Sequence, residues 1–438
     1  MLARRAFWRR HSATLRGALP KVSVSRALIQ GAILCAGVFP VCSFAQTDDS
    51  DGIHGRIELQ DAASFDRPQS LDAELGTADH NDGLANLRLT YEPTWGAWSF
   101  DFHYLVTVED GEDARLMQTE SQLEHIPPAT WFNLTDTFLS GGGVLAEQDI
   151  DRLSLAYSTP DFVIRIGRQA LTWGSGLVFR PMDLFDPFSP VALDTEFKPG
   201  TDMLYAQYLF ADGSDLQFIA VPRSTVLDGA PDMNDSSFAL HYHGEFAGFE
   251  TTGLIARDHG DWTGALGVNG PLYGAAWNVE VLPTSVRDGP TVVSALANIS
   301  DAQTLFNRNA RLFAEYFHNG FGVEGDVTAA TLPSYLENRL ARGQLFNIRQ
   351  DYLAAGVSLE WSPLVTLSPT VIADLNDGSF DLYFSGSWSL DTNTVLYAGV
   401  QAPFGPRGSE YGGVPLAPAD PVTSPSPCLI YLQLRRYF

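Results

Sequence analysis

From about residue 50 onward, apolar and polar side chains alternate with a period of two, and a period of 3.6 is almost nowhere sustained. The stretch AWSFDFHYLVT sets Trp98, Phe100, Phe102, Tyr104 and Val106 against Ser99, Asp101, His103 and Thr107. FALHYHGEF sets Phe238, Leu240, Tyr242 and Phe246 against His241, His243 and Glu245, and SFDLYFSGSWS repeats the pattern from Phe380 to Trp388. Such segments run about nine to eleven residues, the length a tilted strand needs to cross a bilayer. Their spacing predicts about 18 strands, within a range of roughly 16 to 20, and an even number returns both chain ends to one side.

The connections alternate as well. Short turns occur at EPTWG, TPD, ADGS, SPL and LDTN, and long polar stretches at 109–150, 170–200, 223–235, 320–350 and 403–427. Short turns at one end and long loops at the other predict an all-β, antiparallel transmembrane barrel over residues 46–438. TLPSYLENRLARG, with Pro333 near its start, predicts a helix inside one long loop. PATWFNLTDTFLS has room for a short strand or helix, and SDAQTLFNRNA looks long for a turn. A soluble sandwich or propeller would also alternate. Against it, large aromatics gather near segment ends (Trp98, Tyr104, Trp262, Trp361, Trp388), as in interfacial girdles. The opposite face is also too charged to form a second buried layer.

Charge separates the first 45 residues from the rest. They carry seven basic residues and no acid, followed by the apolar run ALIQGAILCAGVFPVCSFA. This reads as a secretory signal cut after Ala45; Pro40 interrupts the run and argues against a retained helix. Its removal leaves 20 basic against 52 acidic residues, a net charge of −32. That balance excludes a nucleic-acid partner and predicts cation attraction at an acidic mouth. Cys35 and Cys42 leave with the signal, so Cys428 has no partner for an intramolecular disulfide.

The chain closes on CLIYLQLRRYF. Ile430, Leu432, Leu434 and Phe438 share one face, and Tyr431, Gln433 and Arg435 the other. This resembles the C-terminal strand of bacterial outer-membrane proteins, apart from Arg436, which stands where an aromatic is usual. The resemblance implies that outer-membrane assembly machinery reads this strand and that it pairs with the first. Between Ile164 and Leu204, the combination of G-R-Q, W-G and D-x-x-x-P resembles porin-like families of proteobacterial outer membranes with largely uncharacterised cargo. The likeness continues through EYFHNGFG and NDGS. It implies a channel exported through the periplasm into the outer-membrane bilayer, passing small solutes without a cofactor, and it makes a homo-oligomer an expectation by analogy.

Segment 170–200 is the densest in candidate chemistry. Gly167, Gly174 and Gly176 permit sharp bends, and Asp183, Asp186, Pro187 and Pro190 stiffen the chain beyond them. Arg168 and Arg180 are expected to brace those acids. Pinned this way, the segment either folds inward as a constriction or ties down the outer rim; the sequence leaves both open. Alternation places Arg56, Glu58, Arg88, Asp101, His103, Arg165, His241, His243, Glu245, Glu280, Glu360, Asp374 and Arg435 inside. The pore-lining and constriction candidates are therefore Arg165, Arg168, Trp173, Arg180, Asp183, Asp186, Arg88, Asp101, His103 and Glu245. His241 and His243 form an H-x-H pair that could contribute to a metal site, but a wet wall is the expected role without a further ligand. No nucleophile-elbow or metalloprotease pattern is present. The expected function is passive diffusion through a water-filled lumen. The alternatives are a partner-dependent exporter or importer of hydrophobic or polysaccharide cargo, hinted at by inward Phe313 and Phe317, and an outer-membrane hydrolase.

Overall fold

The computed structural model describes residues 52–123, 130–185, 187–190, 192–224 and 229–438; the expected cut after Ala45 lies outside them. In chain order the strands are β1 (Ile53–Phe65), β2 (Asp79–Tyr91), β3 (Thr94–Trp95), β4 (Trp98–Asp110), β5 (Thr135–Gly141), β6 (Val144–Ser158) and β7 (Phe162–Gln169). Then come β8 (Thr201–Leu209), β9 (Asp215–Val221), β10 (Ser237–Phe246), β11 (Phe249–Asp258), β12 (Asp261–Leu272), β13 (Ala275–Ser285) and β14 (Thr291–Leu305). The last six are β15 (Arg308–His318), β16 (Asp351–Ser362), β17 (Val365–Asp374), β18 (Phe380–Asp391), β19 (Thr394–Phe404) and β20 (Cys428–Tyr437).

Eighteen of these form one antiparallel meander, closed into a ring because β1 pairs with both β2 and β20. The two short extras, β3 and β5, hang on β4 and β6. Closure is completed by Phe438, whose backbone N–H donates to the Gly55 carbonyl (3.0 Å) and whose carbonyl accepts from the Gly55 N–H (2.8 Å). The Phe438 ring lies where a Cβ on Gly55 would stand, 2.3 Å from its tip carbon, so the seam is tight because residue 55 has no side chain.

Turns at the end holding Ile53 and Phe438 are short. Ala247–Gly248, Tyr273–Gly274 and Phe306–Asn307 are two-residue links with positive φ at both positions, the geometry that matches strand twist. SDAQTLFNRNA is thus mostly strand, with its turn confined to residues 306–307. The opposite end carries the long loops, which hold α1 (Leu71–Leu75), α2 (Glu112–Leu123) and α3 (Ser334–Ala341). The helix expected after Pro333 is α3. It buries Leu336 and Leu340 with Val286 and Phe321 across the long-loop mouth.

Outward positions expose large apolar side chains all round the ring, for example Ile166 (62 %), Ile255 (61 %) and Leu432 (52 %). Trp98, Trp361 and Trp388 are exposed towards the short-turn end and Trp262 at the other. A continuous greasy exterior on a closed ring belongs against lipid, where every backbone group must be paired within the protein.

Candidate functional site: the lumen and the segment that crosses it

Cross-strand register fixes which side chains face inward. Arg56 stands opposite Arg88 on one side and Tyr437 on the other, and Glu58 opposite Arg435. Following the same parity round the ring puts Asp101, His103, Arg165, His241, His243, Glu245, Glu280, Glu360 and Asp374 on the inner face. The half-buried hydroxyls Thr366, Ser368, Ser385 and Ser387 form a small, wettable wall on β17 and β18.

The described residues of segment 170–200 enter this interior and cross it. After β7, the Trp173 indole stacks on the His241 ring (centroids 4.7 Å apart) and its N–H donates to Gln217 Oε1 (2.9 Å). The Ser175 amide donates to Glu280 (2.7 Å). The amides of Leu177, Val178 and Phe179 donate to the two Glu315 oxygens at 2.6, 2.9 and 2.7 Å, and Asn298 adds a fourth bond at 3.0 Å. An irregular segment leaves its amides without ladder partners, so carboxylates on neighbouring strands supply the acceptors. Gly176 lies against the Phe179 carbonyl, 1.8 Å from any added Cβ, so a side chain there would break this turn.

Apolar packing fixes the segment's depth. Trp173, Met182, Leu184 and Phe185 bury themselves against Met203, Ile219, Val221, Leu254 and Leu282 on the inner wall. Phe179 stacks on Phe317 (4.8 Å) and packs against Tyr352 (5.6 Å). Each such side chain contributes roughly 1.5–3 kcal/mol on burial, more than an exposed ion pair does.

Charge then ties down the far end. Arg56 donates to Asp194 (2.7 Å) and Glu196 (2.8 Å), and lies 3.0 Å from Glu58. Arg435 reaches the same three acids at 3.1–3.3 Å, and the Tyr437 hydroxyl donates to Glu196 at 2.8 Å. Phe197 is held between the guanidinium groups of Arg56 (4.9 Å) and Arg88 (4.3 Å). Burial works to raise the Asp194 carboxyl, but the Arg56 hydrogen bond, the Glu196 amide and the two guanidinium charges outweigh it and hold it below the usual carboxylate range.

The expected bracing of this segment is corrected in two places. Asp183 is buried, and the partner that holds it is Lys198 (2.5 Å), which the expectation had not named. Arg168 stands three residues from inward Arg165 and therefore on the opposite face, opposite the exposed Leu153; it grips Asp202 at 3.0 and 3.1 Å and the Phe132 and Ile150 carbonyls. It braces the rim and does not line the lumen. Arg180 lies near the Phe188 ring, 5.6 Å away, and Asp186 falls outside the described residues.

His103 is buried with Asp101 (3.1 Å) and Glu92 (2.7 Å) on Nε2. Arg88 Nη1 donates to Nδ1 (3.2 Å), which leaves the ring proton on Nε2 facing the two acids, a hydrogen-bonded arrangement. His241 and His243 join no three-ligand group among the described residues; His243 lies 3.3 Å from Asp215. Sequence reasoning passed over Glu315, Asp194 and Glu196, the three acids that position the segment. Glu315 shares its face with Phe313 and Phe317, which was the available signal.

At the long-loop rim, Glu410 joins three loops. It accepts from the Tyr352 hydroxyl (2.5 Å) and the Ile348 and Arg349 amides (3.1 Å each), while its own amide donates to Asp377 (2.8 Å). Burial pushes its carboxyl up to about 7, against those hydrogen bonds. A raised carboxyl binds its proton more tightly in the folded state. Its contribution is therefore complete below the ordinary value of 4.5 and fades as pH rises through about 7. Amides of residues 408–414 are expected to exchange more slowly at pH 5 than at pH 8 after correction for intrinsic rates, and Glu410→Gln should flatten that difference. Equal protection at both pH values in the wild type would refute the assignment.

The ring and the segment crossing it define a closed transmembrane β-barrel with an internal, wall-anchored segment. Among solved structures, OccAB2 of Acinetobacter baumannii is similar at 11 % identity and a TM-score of 0.50, over 89 % of this chain and 98 % of that one. OpdK of Pseudomonas aeruginosa, solved with vanillate, is similar at 9 % identity and a TM-score of 0.49, over 88 % and 98 %. A mutant of Rhodopseudomonas blastica porin is similar at 9 % and 0.43, over 88 % and 99 %. No family model matches the chain, and no curated protein matches it in sequence.

Proposed function

We propose that this chain is a bacterial outer-membrane channel for passive diffusion of small polar solutes, with residues 170–200 as its constriction. The observation that carries this reading is the placement of that segment: it crosses a closed, lipid-clad ring and leaves a half-exposed hydroxyl wall on β17 and β18. A solute passes between the two, screened by width and by the charges of Asp101, His103, Arg165 and Glu245, with Trp173 and Asp183 holding the segment and Arg88 buried in its pair with Asp151. Residues 1–45 direct export, and the short-turn end faces the periplasm. Phe317 is covered by Phe179, which counts against a greasy path for hydrophobic cargo.

Planar-bilayer recording tests the reading. Discrete, stable conductance steps are expected from purified protein, and persistent silence would contradict it. Assembly is expected to depend on the seam: removing Phe438 deletes both hydrogen bonds to Gly55 and should markedly lower the heat-modifiable, folded fraction in outer membranes. An unchanged folded fraction would show that the seam closes without it.

A further inference from the structure

We infer that the channel selects for cations, passing small cations and cationic solutes in preference to anions of similar size. This rests on the channel reading and adds the sign of the permeating species.

Two observations carry it. First, the buried basic groups are neutralised. All nine among the described residues (Arg56, Arg88, Arg152, Arg168, Lys198, Arg223, Arg339, Arg349 and Arg435) have a carboxylate within 2.5–3.4 Å. Several are shared: Asp151 serves Arg88 and Arg152, while Glu58, Asp194 and Glu196 together serve Arg56 and Arg435. A guanidinium paired with a carboxylate at this distance has its charge largely offset and offers little field to a passing anion.

Second, the acids facing open lumen are in excess. Glu245 and Glu250 stand directly opposite each other on the inner faces of β10 and β11, both exposed. Like charges placed opposite across a strand pair are destabilising, and among the described residues neither has an ion-pair partner; Glu250's other cross-strand neighbour is Asn269. Across the ring, exposed Glu360 accepts from Asn309 (2.8 Å) and from no other side chain among the described residues. Against these stand Arg165 and Arg311 on the inner wall, neither with a carboxylate within 4.0 Å among the described residues. A local rule broken without a structural gain marks positions held for function. All three acids stand within two residues of the short-turn ends of their strands, and carboxylates on the low-dielectric wall of that mouth concentrate counter-ions there.

The test is the reversal potential of the full-length protein in a planar bilayer under a KCl gradient, beside that of the E245Q/E250Q/E360Q variant. The wild type is expected to favour potassium over chloride by on the order of tenfold, the low end of electrostatic focusing, and the variant to lose most of that preference. Steps that reverse at zero or on the chloride side would overturn the inference and leave the channel reading intact. A potassium preference unchanged in the variant would overturn the assignment to these three acids. Absence of any step would overturn the channel reading itself.

Discussion

A Glu315→Ala variant is expected to conduct severalfold more than the wild-type protein while retaining the same barrel. Glu315 is the single acceptor for three successive amides of the crossing segment and is 1 % exposed. Hydrogen bonds to a charged acceptor contribute about 1.5–3 kcal/mol each, and three buried N–H groups left unpaired would add their own penalty. The Phe179 stack on Phe317 cannot hold the turn alone against that loss, so the segment swings away from β15 and widens the passage. Glu315→Gln should give an intermediate conductance. Its amide keeps one acceptor oxygen but turns an NH2 group towards backbone donors. Wild-type conductance in the alanine variant, with a normal heat-modifiable gel shift, would mean that Glu315 does not hold the segment.

The second large effect is expected at Arg56. Truncation to alanine leaves Glu58, Asp194 and Glu196 facing Arg435 alone in a site where the Arg56 and Glu58 side chains are about 95 % buried. Removing one partner of a buried ionic group costs about 3–5 kcal/mol, most of it from the uncompensated charge left behind. Arg56→Ala should therefore lower the temperature of heat modification strongly. Adding Glu196→Gln should recover part of the loss by removing one surplus charge, and Arg56→Lys should fall between, because a single ammonium cannot serve two carboxylates with a planar fork. If Arg56→Ala melted like the wild type, the cluster would be a solvated surface network and no clamp.

The barrel was legible because its signal is local. A period of two survives wherever one face meets lipid and the other water, and no distant residue is needed to read it. Every inward assignment made by alternation, from Arg56 to Arg435, agrees with the cross-strand register. Parity alone would also have corrected Arg168, which is an odd number of residues from Arg165. Whether segment 170–200 turned inward was not legible, because the answer lies in partners far along the chain. Asp194 and Glu196 meet Arg56 from 138 and 140 residues away, and the Glu315 oxygens meet amides 136 to 138 residues earlier. A faint local clue exists in LQFIAV on β9, where Phe218 faces outward while Ile219 and Val221 face inward. An inward apolar pair in a wet barrel needs a cover, and Trp173 and Phe185 provide it. The TDTFLSG stretch became β5 for a similar non-local reason: β6 extends beyond the ring and offers it an edge.

Amide hydrogen exchange at Ser175, Leu177, Val178 and Phe179, measured on the folded protein in a bilayer mimic, tests the central claim most directly. With the segment inside the ring and its N–H groups on Glu280 and Glu315, these four amides should be protected as well as those of neighbouring strands. Exchange as fast as at Gly141–Gly142, on the tip of the exposed ribbon, would place the segment in water and remove the constriction.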